Sequence, residues 1–339
     1  MITSRLNYDL TDRNTFAMPV KCGCFMEYDS REDIPFLLST IRPEVDMLHI
    51  GAGSNLLFLG DYPGVVVHSA VKGMEIAGED GDDILVRVGA GQEMDAFIKW
   101  ACDRGLWGVE NLSGIPGEAG SAAVQNVGAY GVEAADVIEE IEAYDCPAGD
   151  FVTLSPEQCD YGYRYSMFKS PLMKGNYIIS SVTFRLSSQP RPKTGYPALA
   201  ARFPEPPASP GEVREAVIEI RDTKLPDPSK VPSAGSFFKN PVVSKDVFER
   251  ICAAEGGAES VPHYQAGDGV KIPAAWMIDR CGWKGHTMGN AAVWHLQPLV
   301  IVNPERKATP ADVLALERAI IESVRERFGI TLTPEVEHI

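Results

Sequence analysis

Gly114-Ile-Pro-Gly-Glu-Ala-Gly-Ser-Ala-Ala-Val-Gln-Asn-Val-Gly-Ala-Tyr-Gly131 carries five glycines in eighteen residues, at 114, 117, 120, 128 and 131. A segment so poor in side chains lets backbone approach something closely, and its N–H groups can then bind phosphate without a lysine. Two readings fit the run alone: a tight loop between packed layers, or a cradle for a dinucleotide pyrophosphate. An earlier turn, Gly51-Ala-Gly53-Ser54-Asn55-Leu56, offers a hydroxyl and an amide suited to phosphate or ribose, or to Asx-turn chemistry within the loop. It is not a Rossmann fingerprint: Leu56 replaces the third glycine, an apolar strand-like run follows instead of a long helix, and no acidic residue takes the ribose position. Three further groups could do chemistry: Arg164 in an aromatic loop, Ser236 in Gly-Ser-Phe-Phe, and Glu335 near the C-terminus. Taken singly, they read as a surface arginine, a serine satisfying local backbone and a solvated glutamate.

Composition narrows the classes. The chain has 339 residues, 45% hydrophobic and 23% charged, enough for two or three domains. A net charge of −16 argues against nucleic acid and anionic membrane as general partners. The seven cysteines, at 22, 24, 102, 146, 159, 252 and 281, form no C-x-x-C pair, so neither a zinc site nor a disulfide framework is indicated and no metal is expected. Free thiols, the lack of a basic-then-apolar leader and the absence of an 18-residue apolar run point to the cytoplasm. The six histidines, at 49, 68, 263, 286, 295 and 338, stand outside any nucleophilic triad motif.

The elements that must position these groups follow from hydrophobic period. Residues 1–20 read as a polar leading loop. Ser30 and Asp33 suggest a capping box opening a short helix. Strands are expected over 45–50, 64–67, 84–88, 137–144, 177–186, 233–241, 298–302 and 330–336, the last bearing Glu335. Helices are expected over 94–104, 212–223, 244–254, 272–281 and 309–328. The helix over 94–104 has Met94, Phe97, Ile98, Ala101 and Cys102 on one face and Gly105 as its stop. The helix over 309–328 opens on Thr309-Pro-Ala-Asp312 and buries Val313, Leu316, Ile320, Val324 and Phe328. Seven prolines between 189 and 210 mark a stiff excursion or linker. The class is α+β, with boundaries near 70 and within 190–210.

Several motifs then coincide in order: Gly51-Ala-Gly-Ser-Asn-Leu, Gly114-Ile-Pro-Gly with Gln125-Asn-Val-Gly-Ala-Tyr-Gly131, Tyr163-Arg-Tyr-Ser166, Gly235-Ser-Phe-Phe-Lys-Asn-Pro241, Ala275-Trp-Met-Ile-Asp279 and Pro334-Glu-Val336. Together they resemble the UDP-N-acetylenolpyruvoylglucosamine reductase family of peptidoglycan precursor synthesis, over nearly the whole chain. The tyrosine-rich loop and proline excursion look like its subclass with an extra tyrosine loop. The resemblance implies a two-part FAD-binding domain of the vanillyl-alcohol oxidase/PCMH type: residues 1–70, joined by 329–339, and residues 71–190. A tyrosine loop over 191–210 and a substrate-binding domain over 211–328 follow.

The resemblance also implies the site. FAD would meet Gly51, Gly53, Ser54, Asn55, Gly114, Ile115, Pro116, Gly117, Gly120, Ser121, Gln125, Asn126, Gly128, Ala129 and Tyr130. The substrate, UDP-N-acetylglucosamine enolpyruvate, would meet Tyr163, Tyr196, Lys224, Asn240 and Gln297. NADPH would recharge the flavin, which must do the hydride chemistry because no side chain can. Hydride addition leaves carbanion character beside a carboxylate. Arg164 is implied to stabilise that charge, with Glu335 hydrogen-bonding the same enolate, and Ser236 to protonate the carbanion. The chain departs from the family at Thr194-Gly-Tyr196-Pro, where Tyr followed by Gly is common, and at Trp294, where histidine is common. No membrane or nucleic-acid partner is implied, and a monomer is expected. An FAD oxidase of the same fold would leave Gly-Ser-Phe-Phe-Lys-Asn-Pro and Pro-Glu-Val unexplained; a non-catalytic flavin or nucleotide-sugar sensor should have lost Arg164, Ser236 or Glu335.

Overall fold

A computed structural model describes residues 1–339. The chain forms two compact units, both discontinuous: residues 1–9, 21–53 and 62–222 make the first, and residues 10–20, 54–61 and 223–339 the second.

The first unit contains two sheets. One has four strands in the order Ile2–Asp9, Lys21–Tyr28, Tyr62–Ser69, Met47–Ile50; the first pair is antiparallel and the others parallel. The helix Asp33–Thr40 buries Ile34 and Leu37 in the core of this sheet. The other sheet has five antiparallel strands in the order Asp150–Leu154, Ile138–Asp145, Tyr177–Ser187, Asp83–Gly89, Met74–Asp80. Its core takes Val86, Val88, Ile141, Val182 and Phe184 from the strands. The helix Met94–Cys102 adds all five apolar residues expected on its face. Phe97 meets Phe184 there, with ring centroids 4.8 Å apart. The short helix Ala119–Gln125 packs against the same core through Ala119, Ala122 and Ala123. The proline-rich stretch carries a single helical turn, Pro197–Ala200. Its Leu199 is buried with Trp107 and with Val213 and Val217 of the helix Pro210–Asp222.

The second unit has a four-stranded sheet in the order Ser233–Ser236, Val300–Val302, Ala291–Val293, Thr287–Met288. A three-stranded sheet, Val242–Val243, Gly269–Lys271, Tyr264–Ala266, lies in the same unit. The helix Pro310–Phe328 has the expected cap: Thr309 Oγ1 accepts from Asp312 N–H at 3.2 Å, and Asp312 Oδ2 accepts from Thr309 N–H at 2.9 Å. Gly329, at φ 70°, ends it. All five apolar residues expected to face inward are buried. Segment 10–20 belongs here because Asn303, fully buried, donates to the Phe16 carbonyl at 3.1 Å, and Ser233 N–H donates to the Thr15 carbonyl at 2.9 Å.

Several elements differ from the sequence reading. Residues 2–9 form a strand, not a loop; it sits at a sheet edge with mostly exposed side chains, so burial imposes no apolar alternation on it. Ser30 does not cap the first helix, which starts at Asp33; its hydroxyl bonds the Glu32 carboxylate instead. Only Ser233–Ser236 of 233–241 is strand, with a register shift at Gly235, φ 71°, between the pairs Ser233–Val302 and Ser236–Val300. Residues 330–336 form no strand. Pro334 has no N–H for a ladder; it makes one isolated bridge to Phe238, and pairing resumes only at Glu337–His338, parallel to Leu56–Leu57.

Phe97→Ala should destabilise the first unit by about 3–5 kcal/mol, since it empties a fully buried aromatic site. Urea unfolding followed by far-UV circular dichroism reads this; a loss below about 1 kcal/mol would contradict the packing described.

Candidate functional site

The first unit builds its site on backbone pinned to backbone. Gly117 O accepts from Met94 N–H at 3.0 Å, Ala119 N–H donates to Gln92 O at 2.9 Å, and Gly120 N–H donates to Ala90 O at 2.9 Å. A Cβ at Gly120 would lie 2.9 Å from Ala90 Cβ, so this glycine serves the packing of the 119–125 helix. Asp95 holds the start of the segment, accepting from Gly114 N–H at 2.6 Å. Arg214 grips the same carboxylate with two bonds of 2.6 and 2.8 Å and, ahead of the other influences, holds its pKa below the ordinary value. The Gly51 turn meets the segment directly: a Cβ at Gly51 would stand 3.0 Å from Ser121 Oγ and 3.2 Å from Glu118 Oε2. Ser121 Oγ accepts from Glu118 N–H at 3.1 Å and donates to Glu118 O at 2.9 Å, which fixes that corner.

The far end of the segment turns on Asn126, in left-handed conformation at φ 44° and buried. Its Nδ2 donates to Glu133 Oε2 at 2.8 Å and to Gly162 O at 2.9 Å, and its Oδ1 accepts from Ala135 N–H at 3.0 Å. One amide therefore joins the cradle to the tyrosine-rich loop. Ser166 donates to Val124 O at 2.6 Å, and Lys169 donates to Gln125 Oε1 at 2.8 Å. Arg164 is delivered by this loop at φ 53°; its guanidinium donates to Gly128 O, lies 5.2 Å from the Tyr163 ring centre and 3.9 Å from Glu133. A Cβ at Gly128 would lie 2.9 Å from Arg164 Nη1, so that glycine makes room for the cation. Tyr130, at φ 50°, meets Tyr196 edge-on at 5.3 Å. Ala129 pairs with Val132 in a two-residue ladder, Ile115 packs on the core, and Pro116 is exposed. Tyr196 itself is 41% exposed.

Two residues that the motif reading did not single out belong to this neighbourhood. Arg221, last-turn cation of the 210–222 helix, has its Nε 3.2 Å from where a Gly114 Cβ would be; burial pulls its pKa down. Asn111 donates to the carbonyls of Tyr130 and Lys193 at 2.9 and 2.8 Å, while its own buried Oδ1 has no partner. An arginine followed by Asp-Thr-Lys, and an asparagine before Leu-Ser-Gly, carry no periodic or motif signal of their own.

These residues fit a dinucleotide. Gly53, Gly114 and Gly117 take φ of 66°, 70° and 144°, conformations that point backbone where side chains would otherwise stand. Three cations stand along the 114–131 segment in a chain of net charge −16: Arg221 beside Gly114, Lys169 on Gln125 and Arg164 on Gly128.

The second unit assembles its own group. Glu335 N–H donates to Phe237 O at 2.8 Å, Lys239 N–H donates to Thr333 O at 2.9 Å, and Phe237 N–H donates to Leu299 O at 2.7 Å. Ser236 and Glu335 are thus brought onto neighbouring extended segments, with Phe237 and Phe238 buried beneath and Ser236 exposed. Asn55 secures the Glu335 segment: its Nδ2 donates to Glu335 O at 3.0 Å and its carbonyl accepts from Glu337 N–H at 2.9 Å. Ser54 precedes it in this unit, half-buried. Asn240 Oδ1 accepts from Ala274 N–H at 2.9 Å and so also anchors the helix Ala274–Arg280. Lys224 is exposed, and its carbonyl accepts from Trp294 Nε1 at 3.1 Å. Gln297 Oε1 accepts from Leu299 N–H at 3.4 Å.

Comparison with known proteins agrees with both halves. Residues 24–155 match a family described as "FAD binding domain", and residues 227–339 match "UDP-N-acetylenolpyruvoylglucosamine reductase, C-terminal domain". The chain is 44% identical over 334 residues to UDP-N-acetylenolpyruvoylglucosamine reductase of Bacteroides fragilis strain YCH46, covering 98% of this chain and 99% of the relative. It is 42% identical over 339 residues to that of Porphyromonas gingivalis strain ATCC 33277, covering 99% of each. Its fold superimposes on the crystal structure of UDP-N-acetylenolpyruvylglucosamine reductase from Thermus caldophilus with a TM-score of 0.69 at 25% identity, covering 100% of this chain and 98% of the other. An FAD-binding domain followed by this C-terminal domain, with full-length relatives at such identity, means that the chain belongs to the UDP-N-acetylenolpyruvoylglucosamine reductases, a family of FAD-dependent oxidoreductases.

Proposed function

We propose that this protein reduces UDP-N-acetylglucosamine enolpyruvate to UDP-N-acetylmuramate, with NADPH as the hydride donor, in the making of peptidoglycan precursors. The observation that supports the reading is the pairing of Glu335 N–H with Phe237 O, which brings the chain segments carrying Ser236 and Glu335 side by side over the buried Phe237 and Phe238. FAD, when bound, supplies the hydride that adds to the enol-ether alkene. What remains for the side chains is charge and a proton.

Arg164 suits the charge. Its guanidinium is fixed by Gly128 O and the Tyr163 ring, so little is reorganised when it meets a developing enolate and its carboxylate. Ser236 is the proposed donor of the proton to the carbanion, and Glu335 the proposed hydrogen-bonding partner of the enolate. Tyr163, Tyr196, Lys224, Asn240 and Gln297 are the proposed substrate contacts. The cofactor residues are Gly51, Gly53, Ser54, Asn55, Ile115, Pro116, Gly117, Ser121, Gln125, Ala129 and Tyr130, together with Gly114, Gly120, Asn126 and Gly128, which also hold the segment's shape. Residues 1–70 with 329–339, and 71–190, are assigned to the cofactor, 191–210 to the tyrosine loop and 211–328 to substrate. The seven unpaired cysteines support a reducing compartment, and a cytoplasmic monomer completes the reading.

Ser236→Ala should leave reduction of the flavin by NADPH near the wild-type rate. Its reoxidation by the enolpyruvyl substrate should slow between about 100-fold and about 10,000-fold. Stopped-flow absorbance separates the two half-reactions, and two fast half-reactions would refute the proton-donor role. Tyr196→Phe should raise the KM for the nucleotide sugar by about tenfold, one hydrogen bond to a charged group, with kcat within about twofold. An unchanged KM would remove Tyr196 from the substrate contacts.

A further inference from the structure

One ionic cluster in the first unit, built on a cross-strand pair, is not used by the proposed chemistry. His68, 5% exposed, lies in the strand Tyr62–Ser69. Its Nδ1 is 2.8 Å from Glu27 Oε2 and its Nε2 is 3.0 Å from Glu118 Oε1. A neutral imidazole donates from one nitrogen only, so satisfying both carboxylates takes the doubly protonated ring. Glu118 is 6% exposed, and it touches both side-chain-poor segments: it begins the 119–125 helix, and its Oε2 lies 3.2 Å from where a Gly51 Cβ would stand. Without the imidazolium the buried carboxylate would keep only the helix-cap N–H of Ser121 and would repel an anionic diphosphate on the same backbone.

We propose that His68 is a positioning residue for the cofactor: its imidazolium ties Glu118 to Glu27, neutralises Glu118 where the Gly51 turn meets the 114–131 segment, and makes retention of FAD fall as pH rises. The inference rests on reading those two segments as the FAD site. Burial draws the ring's pKa down, but the bonds from Glu118 and then Glu27 outweigh it, and the net shift is upward. Glu93 lies opposite Glu118 across an isolated antiparallel bridge with its side chain exposed, and the other titratable groups at the cluster are His49 and Tyr28. His49, whose Nε2 is 3.3 Å from Tyr28 Oη, is pushed down to about 4 by burial and then by the His68 charge. Burial pushes the Tyr28 phenol up. Phe25 stacks on the His68 ring at 6.3 Å and carries no charge. Because the folded pKa is raised, the stabilisation is fully present below the ordinary histidine pKa and is lost as pH climbs through the raised one.

The test is release of FAD from the purified holoprotein, read as recovery of flavin fluorescence on dilution between about pH 6 and about pH 9. The wild type should lose FAD more readily at the upper end of that range than at the lower. In His68→Gln retention should be weak and flat with pH; in Glu118→Gln, which needs only a neutral ring as partner, it should be flat and close to the wild type's low-pH level. If His68→Gln does not fold, Glu27→Gln takes its place and should move the fall to lower pH. A merely structural histidine would lower the unfolding midpoint but leave the variant's pH profile parallel to the wild type's, and that result, a flat wild-type profile, or an unmoved fall in Glu27→Gln overturns the inference. Protein that binds no FAD at any pH would defeat the cofactor reading as well, whereas flavin held with unchanged pH dependence defeats only the role of His68.

Discussion

Close approach of bare backbone is the constraint on which the first unit depends. A Cβ at Gly91 would sit 2.1 Å from Ser69 O, and one at Gly120 would sit 2.9 Å from Ala90 Cβ. Strand end, connecting loop and short helix can stack there only because side chains are missing. The hydrogen bonds at Gly117 O, Ala119 N and Gly120 N form as a consequence of that stacking, and they hold the segment without any long side chain. The same bareness that permits packing leaves backbone available to a dinucleotide. Gly120 serves the packing reading of residues 114–131, while the cradle reading proposed above draws on glycines such as Gly117, at φ 144°.

Fixed charge is the second ingredient. The chain is strongly acidic, yet Arg164 and Lys169 are hydrogen-bonded to the 114–131 segment and Arg221 lies against Gly114, so local field and global charge point in opposite directions. Arg164 stands in a left-handed conformation uncommon for a side chain of its size, a strain of the kind that surrounding structure must hold in place. Asn126 and Ser166 supply that hold by locking the loop on both sides of Arg164.

Sequence periodicity revealed the parts whose burial is one-sided. The strands over 84–88 and 137–144 and the helices over 94–104 and 309–328 show the period their cores demand, and the apolar faces named for both helices are the buried ones, whereas the strand over 177–186 is buried on both faces and was marked by its β-branched residues. It failed where burial imposes no pattern. The edge strand Ile2–Asp9 is mostly exposed, and the helix Ala119–Gln125 is built of small residues with no apolar stripe, so its glycines spoke only of a loop. The discontinuous units were hidden because Asn303 reaches the Phe16 carbonyl across most of the chain, a pairing no local window contains. Motifs singled out Arg164, Ser236 and Glu335 as candidates, but the backbone pairing at Phe237 that brings the segments of the last two together is long-range. His68 was invisible for a plainer reason: a histidine after an apolar strand gives no sign of the two carboxylates that face it.

The central claim is that bare backbone in the first unit holds a flavin which passes hydride to an enolpyruvyl nucleotide sugar. An anaerobic absorbance titration of the purified protein tests it most directly. The account predicts a flavin spectrum that bleaches on adding NADPH and returns, without oxygen, on adding one equivalent of UDP-N-acetylglucosamine enolpyruvate. A colourless protein, or a bleached flavin that returns only when oxygen is admitted, would contradict it.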